Sequence, residues 1–247
     1  MALYQSDAFV LHTYKLGETD QIVVLFTRDF GKLRAVVRRS HSPRRSTAGY
    51  YQPLMLLSAI VFGRPGQPLY RMQSVDIVQA LRPLHEDFRL LRCGLYMTEL
   101  IDVATHEREP APELFALLHQ SLEQLTRTAD PVLLLRLFEL RLSMATGYTP
   151  QLLYCAHCTS DLQPHACTFS ARLGGLLCSV CAATVRQTFT VSPEAIAYLR
   201  LAMQGEAAVP PPTPLTATAQ QDLERLLHAH VTYCLGRELK SYAFLYL

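Results

Sequence analysis

Two short cysteine motifs constrain the fold of this chain more than any other feature of its sequence. They are Cys155-Ala-His-Cys158 and Cys178-Ser-Val-Cys181, and nineteen residues separate them. In each motif a tight turn can direct both thiols toward one ion, and two such pairs provide four tetrahedral ligands. The spacing predicts a structural Zn²⁺ held by Cys155, Cys158, Cys178 and Cys181, because four cysteines leave no open position for water or substrate.

Other uses of these four cysteines remain open from the spacing alone. Two disulfides, a redox-active pair or an iron–sulfur cluster would need the same residue type. The zinc deaminases require a Glu two residues after a His or Cys ligand, and no such Glu is found. We expect His157, inside the first motif, to face solvent, whereas His165 or Cys167 could replace a ligand in a distorted site.

The composition predicts a folded protein of the cytoplasm. The chain has 247 residues and is 49% apolar, which suffices for one large domain or for two to three small ones. It contains no long uncharged apolar run and no basic, apolar N-terminal segment, so we expect neither a membrane span nor a signal peptide. Seven cysteines, four of them at metal-binding spacing, fit a reducing compartment.

The charge is unevenly distributed, although the formal net charge is only +2. Residues 1–80 hold ten Lys or Arg and five Asp or Glu, a balance of +5, whereas residues 81–247 have a balance of −3. No acidic residue occurs between Asp29 and Asp76. A one-sided excess of cations is typical of proteins that bind polyanions.

The first eighty residues predict a small antiparallel β-barrel. Runs rich in Val, Ile, Leu, Phe and Tyr alternate with turn compositions such as Arg28-Asp29-Phe30-Gly31. Five short strands with no helix between most of them favour the OB-fold, and an SH3-like barrel is the alternative. The expected strands cover residues 8–15, 20–27, 32–39, 50–62 and 69–80.

The remaining sequence predicts helices on both sides of the cysteine motifs. Asp130-Pro131 and Ser192-Pro193 are helix start signals, with a capping residue before a proline at the first helical position. The expected helices cover residues 84–106, 113–126, 132–145, 193–203 and 219–240. The predicted fold is therefore α+β, with an OB-fold-like barrel at 1–80, a helical bundle at 81–150 and 190–247, and an inserted zinc module at 151–189.

The basic stretch of the predicted barrel carries the candidate nucleic-acid contacts. Arginine can neutralise phosphate with two hydrogen bonds, and aromatic rings offer stacking surfaces for unpaired bases. The interleaved aromatic residues are Tyr14, Phe30, Tyr50, Tyr51 and Tyr70. The predicted phosphate contacts are Lys32, Arg34, Arg38, Arg39, Arg44 and Arg45, and a secondary set is Lys15, Arg64 and Arg71.

Several landmarks along the chain occur in a characteristic order. A predicted helix is followed by Gly147-Tyr148-Thr149-Pro150, Gly174-Gly175 precedes the second cysteine motif, and Arg237-Glu238-Leu239-Lys240-Ser241 lies near the C-terminus. Near the N-terminus, Ala8-Phe9-Val10-Leu11 and Gly17-Glu18-Thr19-Asp20 fit a first hairpin. Over essentially the whole chain, this order resembles the bacterial recombination mediator family RecO.

The resemblance implies a non-enzymatic role in homologous recombination and DNA repair. It implies binding of single- and double-stranded DNA, annealing of complementary strands, and an association with the nucleoid. It also implies cooperation with RecR and single-stranded-DNA-binding protein in loading the recombinase RecA. The sequence has no Walker loop, nucleophile elbow or H-E-x-x-H motif, which agrees with this role. A protein-interaction adaptor and an unrecognised metalloenzyme are the alternatives.

Overall fold

The chain folds into two compact units of mixed α and β structure. A computed structural model describes residues 2–18, 20–38, 51–162, 167–206 and 211–245. The first unit comprises Met1–Arg127 and Leu239–Leu247, and the second comprises Thr128–Glu238. The boundary lies within the helical region that the sequence predicts as one bundle, so the helices are divided between the units. The α+β class is confirmed.

Five strands in the first unit close into a barrel in the order β1-β2-β3-β5-β4. They are β1 (Ala2–Leu16), β2 (Asp20–Thr27), β3 (Gly31–Arg38), β4 (Leu56–Gly63) and β5 (Tyr70–Gln79). Neighbouring strands are antiparallel except β3 and β5, which pair in parallel at Ala35–Tyr70 and Val36–Arg71. The predicted antiparallel pairing thus holds for four of the five strand pairs and not for β3–β5, because a closed ring with an odd number of strands cannot alternate direction at every pair.

The period-two alternation of the strands separates an apolar interior from an outer face. In β3 the inward residues Leu33, Ala35 and Val37 are buried, as the alternation predicts. A β-bulge in β1 between Val10 and His12 shifts the register with β2 by one residue, so that His12 pairs with Val24. The outer face of the first three strands therefore contains the residues between these inward positions.

Besides the barrel, the described part of the first unit contains helices. They are α1 (Arg82–Glu86), α2 (Phe88–Ala104), α3 (Pro112–Leu125) and the 3₁₀-helix Lys240–Phe244. The single helix predicted over 84–106 is interrupted at Asp87, which is extended and caps α2 by accepting a 2.8 Å hydrogen bond from the Arg89 amide. In α3, Phe115 packs against Phe9 and Phe26 and so covers part of the outer face of the barrel.

The second unit is built around a helix that is buried on all sides. Its elements are α4 (Pro131–Ala145), β6 (Cys167–Ser170), β7 (Gly175–Leu177), α5 (Ser179–Ala182), β8 (Phe189–Val191), α6 (Pro193–Met203) and α7 (Ala217–Leu235). Helix α4 begins where the sequence predicts, since the Asp130 carboxylate accepts from the Leu133 amide at 2.9 Å. Helix α7 ends at Leu235, earlier than predicted, because Gly236 adopts a left-handed conformation with φ 62°.

The cysteine motifs adjoin the small sheet of the second unit. Strands β7, β6 and β8 form this sheet in that order. The interior of the unit combines apolar residues of α4, α6, α7 and the sheet, including Phe169 and Leu176. Among the described residues, no helix combines the length and the apolar character needed to span a membrane.

Candidate nucleic-acid interface and metal centre

The four cysteine sulfurs come together in the second unit. All four Sγ atoms lie within 4.8 Å of one another, and those of Cys158 and Cys178 are 3.8 Å apart. Four sulfurs bound tetrahedrally to one Zn²⁺, at about 2.3 Å each, would be about 3.8 Å from one another. The donor set and its spacing therefore fit a single metal ion of this type.

Local backbone geometry places each pair of thiols. In the first motif, the Thr159 amide donates to the Cys155 carbonyl at 2.9 Å and closes a turn around Cys158. In the second motif, Cys178 is the N-cap residue of α5 and Cys181 lies one turn later. The two motifs are joined by the Cys178 amide, which donates to the Cys155 sulfur at 3.4 Å.

The thiols of the cluster differ in acidity. Burial raises the pKa of Cys155, but the backbone amides that donate to its sulfur, that of Cys178 above all, bring the pKa below its ordinary value. Hydrogen bonding to the Ser160 hydroxyl lowers the pKa of Cys158. Contact with the neighbouring thiols, Cys158 first, raises the pKa of Cys181 to about 12. Cys181 is therefore the thiol of the cluster whose ionisation is least favoured.

Other cysteine and histidine residues near the motifs play different roles. Cys167 is buried in β6 and is not a member of the cluster. His157 is exposed, as expected, but its Nδ1 also lies 3.5 Å from the sulfur of Cys181. His165 lies outside the described residues.

The outer face of β1, β2 and β3 presents three cross-strand rows of side chains. Backbone pairing fixes the members of each row across the three strands. The rows are His12–Val24–Arg34, Tyr14–Ile22–Val36 and Leu16–Asp20–Arg38. The predicted basic residues of β3 therefore alternate with an apolar position at Val36.

Lys32 lies beyond these rows and is largely shielded from solvent. Its Nζ lies 2.7 Å from the Asp102 carboxylate and 2.6 Å from the Asp102 carbonyl oxygen, and the side chain is 11% exposed. Asp102 stands near the end of α2, seventy residues away in sequence. This geometry disfavours Lys32 as a phosphate contact, because the ammonium group would have to leave a partly buried ion pair.

Arg34 is accessible but already paired. Its Nε lies 2.7 Å from the Glu107 carboxylate, and the arginine side chain is half exposed. The segment after α2 is fixed to β3 by an isolated bridge between Lys32 and Glu107 and by the Arg108 amide, which donates to the Lys32 carbonyl at 3.0 Å. The fold thus places an acidic residue against the basic strand.

Arg38 lies at the open end of the same face. It lines one cleft together with Arg64 from the loop between β4 and β5 and Arg71 from β5, and all three side chains are exposed. Asp20 also lines this cleft. Within the described parts of the chain, no carboxylate forms an ion pair with any of these three arginines. The cleft thus contains Arg38, from the main set of predicted phosphate contacts, and Arg64 and Arg71, from the secondary set.

The remaining predicted contacts divide into three groups. Lys15 is exposed on β1. Among the aromatic residues, Tyr51 and Tyr70 are buried and Phe30 packs edge-on against Tyr4, whereas Tyr14 is 52% exposed. The residues Arg39, Arg44, Arg45 and Tyr50 lie outside the described residues.

Sequence reasoning missed the acidic partners of the basic strand. Asp102 and Glu107 come from the end of α2 and the segment that follows it. Nothing in the local sequence distinguishes them from acidic residues on a solvated helix. Their ion pairs with Lys32 and Arg34 form between segments that are far apart in the sequence, so only the folded structure shows them.

Comparison with known proteins extends over both units. The profile "Recombination protein O N terminal" matches residues 1–81, and "Recombination protein O C terminal" matches residues 85–243. The chain is 34% identical over 236 residues to "DNA repair protein RecO" of Anaeromyxobacter dehalogenans strain 2CP-C, covering 96% of this chain and 93% of that protein. Identity to the protein of the same name from Myxococcus xanthus strain DK1622 is 34% over 246 residues, covering 99% and 98%. Identity to "DNA repair protein RecO" of Bacillus subtilis strain 168 is 28% over 243 residues, covering 98% of this chain and 94% of that protein. The chain therefore belongs to the recombination protein O (RecO) family.

Proposed function

We propose that this protein is a non-enzymatic recombination mediator of DNA repair. It binds single- and double-stranded DNA through the outer face of its barrel and anneals complementary strands. With RecR and single-stranded-DNA-binding protein, it assists the loading of RecA, and it works at the bacterial chromosome. Family membership supports the repair role, and the DNA-binding face rests on the observations below.

The arginine cleft is the observation that carries the DNA-binding proposal. Arg38, Arg64 and Arg71 converge on one open cleft and have no carboxylate partner among the described residues. Three unpaired guanidinium groups can each neutralise a phosphate and release a condensed counterion. We propose these three residues as the main phosphate contacts, with Arg34 as a further contact once it leaves Glu107.

The strand order of the barrel, β1-β2-β3-β5-β4, supports a specific binding face. We propose that it is an OB-fold, in which the outer face of strands two and three and the loops at their ends bind oligonucleotides. Arg38 ends the third strand, and Arg64 lies in the loop between the fourth and fifth strands. This position of the cleft agrees with the ligand-binding face of OB-folds and supports it as the proposed DNA site.

Such a cationic surface can promote annealing of two strands without any covalent step. Two complementary strands repel each other through their phosphates, and a cationic face that contacts only backbone holds both strands whatever their sequence. Neutralisation lowers the repulsion, and base pairing then proceeds without a nucleotide fuel.

The cysteine cluster has a supporting role in this proposal. We propose that Cys155, Cys158, Cys178 and Cys181 hold one structural Zn²⁺, which would join the two motifs that flank the small sheet. A bound zinc ion supplies folding free energy to a module of this size. The closed set of four thiolates leaves no ligand position for catalysis.

Salt-dependent DNA binding tests the proposal. The affinity for a fluorescent single strand is measured by anisotropy between about 50 and 300 mM salt for the wild type and for Arg38→Glu and Arg71→Glu. We expect each variant to bind more weakly and with a shallower salt dependence, by about 0.7 in the logarithmic slope per lost phosphate contact. Arg172→Glu, at an exposed turn of the second unit, is the charge-matched control.

Two results would contradict the proposal. Equal affinities and slopes for the barrel variants and the control would remove the cleft as the binding site. A wild-type protein that fails to accelerate annealing of complementary oligonucleotides without ATP would remove the annealing role. Pull-down of purified RecR by this protein, after nuclease treatment, tests the partner.

A further inference from the structure

One aromatic ring is exposed beside the arginine cleft. Tyr14 is 52% exposed on the outer face of β1. Of the other aromatic residues predicted to lie near DNA, Tyr51 and Tyr70 are buried in the described structure. Phe30 packs edge-on against Tyr4, so among the described members of this set Tyr14 is the ring most open to a nucleic-acid base.

The orientation of Tyr14 is fixed by His12, two residues earlier on the same face. The phenol oxygen lies 2.6 Å from His12 Nε2, and the two rings meet edge to face with centroids 4.7 Å apart. His12 Nδ1 faces the Asp102 carboxylate at 3.6 Å. This arrangement favours the tautomer with the proton on Nδ1, so that Nε2 accepts the hydrogen bond from Tyr14.

The protonation state of His12 supports this hydrogen bond. Burial lowers the pKa of His12, and the nearby cations Lys32 and Arg34 lower it further, against the attraction of Asp102. His12 is therefore neutral near pH 7, as an acceptor of the Tyr14 hydroxyl must be. A preoriented ring loses little conformational freedom when a base stacks on it.

The surroundings of Tyr14 fit a polynucleotide. In the same cross-strand row, Ile22 and Val36 are partly exposed, which gives a short apolar strip. Arg34 lies in the row on one side and Arg38 in the row on the other. Alternation of cations with an apolar aromatic surface matches alternation of phosphates with bases along a single strand.

We propose that Tyr14 is the base-stacking residue of the barrel, positioned by His12, and that it gives the protein a preference for single-stranded over double-stranded DNA. The inference rests on the proposed DNA-binding function. Bases of a duplex are stacked on their neighbours, so their faces cannot meet the ring. A duplex therefore binds only through its phosphates, whereas an unpaired base adds a stacking interaction at Tyr14.

Binding of one strand in both forms tests this assignment. Anisotropy is measured for a labelled oligothymidylate and for the same strand annealed to its complement, with wild type, Tyr14→Leu and Tyr14→Phe. We expect Tyr14→Leu to lose about tenfold in single-strand affinity and less than about twofold in duplex affinity. Tyr14→Phe keeps the ring but loses the hydrogen bond to His12, so it should bind the single strand about threefold more weakly than wild type. Tyr233→Leu, at an exposed tyrosine of α7, is the matched control.

The salt dependence separates stacking from charge. Stacking releases no counterions, so Tyr14→Leu should leave the slope of log K against log salt unchanged. Arg38→Glu should make this slope shallower. Equal losses for single strand and duplex, no loss at all, or a Phe variant as weak as the Leu variant would each overturn the assignment. A thermal unfolding midpoint equal to that of the wild type establishes that each variant is folded.

The same measurements distinguish failure of this inference from failure of the proposed function. If the arginine variants weaken binding and Tyr14→Leu does not, only the stacking role is lost. If neither kind of variant changes binding, the barrel face itself is not the DNA site.

Discussion

Neutralising Glu107 should strengthen DNA binding, because this carboxylate forms an ion pair with Arg34, one of the cations of the proposed interface. Its oxygen lies 2.7 Å from Arg34 Nε, and the pair is partly open to solvent. The substitution Glu107→Gln keeps the size of the side chain and removes its charge. Arg34 then becomes available to a phosphate without first breaking an ion pair.

The size of the effect follows from counterion release. One further phosphate neutralised on a single strand steepens the slope of log K against log salt by about 0.7. At about 0.1 M salt, this corresponds to about 0.7 decades, or about fivefold tighter binding, equivalent to about 1 kcal/mol. The cost to folding is small, since a solvent-accessible ion pair contributes about 0–1 kcal/mol.

The assay is a titration of a labelled single strand at several salt concentrations. Glu109→Gln is the control, because Glu109 belongs to the same segment, is largely exposed and lies near His106 rather than an arginine. The control removes the same charge from the protein without releasing Arg34. We therefore expect a steeper slope for Glu107→Gln alone.

Two outcomes would refute the reasoning. If Glu109→Gln raises affinity as much as Glu107→Gln, the gain comes from overall charge and not from Arg34. If Glu107→Gln leaves both affinity and slope unchanged, Arg34 does not contact phosphate when DNA binds.

Three further substitutions probe stability, by metal analysis or by denaturation. Cys155→Ser should lose the bound zinc and lower the thermal midpoint by at least about 5 °C, while Cys234→Ser, outside the cluster, should retain both; equal zinc content in the two variants would exclude the proposed site. Gly31→Ala should destabilise the protein by at least about 2 kcal/mol more than Gly17→Ala, as measured by urea unfolding. Both glycines have positive φ, but an added Cβ at Gly31 would lie 2.2 Å from a backbone oxygen, whereas at Gly17 it meets nothing within 4 Å; similar costs would contradict this contact. Glu139→Gln removes the carboxylate 3.0 Å from a buried guanidinium of α4 and should cost about 3–5 kcal/mol in the same assay, so a loss below about 1 kcal/mol would show that the pair is dispensable.

Features that depend on short stretches of chain were predictable from the sequence. The cysteine spacing identified the four members of the cluster, because a turn of a few residues determines where the two thiols of each motif point. The signal Asp130-Pro131 located the start of α4, since capping is a contact between residues three apart. In β3, alternation alone separated Leu33 from Arg34.

Some local signals were too weak to locate helix ends. The helical periodicity continued through Asp87, although that residue terminates α1 and caps α2. The pattern of α7 likewise continued past Gly236, where the left-handed backbone ends the helix. A hydrophobic pattern shows which face is buried, but capping geometry decides where the helix stops.

By itself, the sequence determined that cations are concentrated in the first eighty residues and that four cysteines form one cluster. Only the tertiary structure decided which of those cations remain free. Lys32 is bound by Asp102, seventy residues away, while Arg38 meets Arg64 and Arg71 at an open cleft. The physical reason is that a charge is neutralised by whatever lies within a few ångströms in space, and those neighbours come from segments that the order of residues does not bring together.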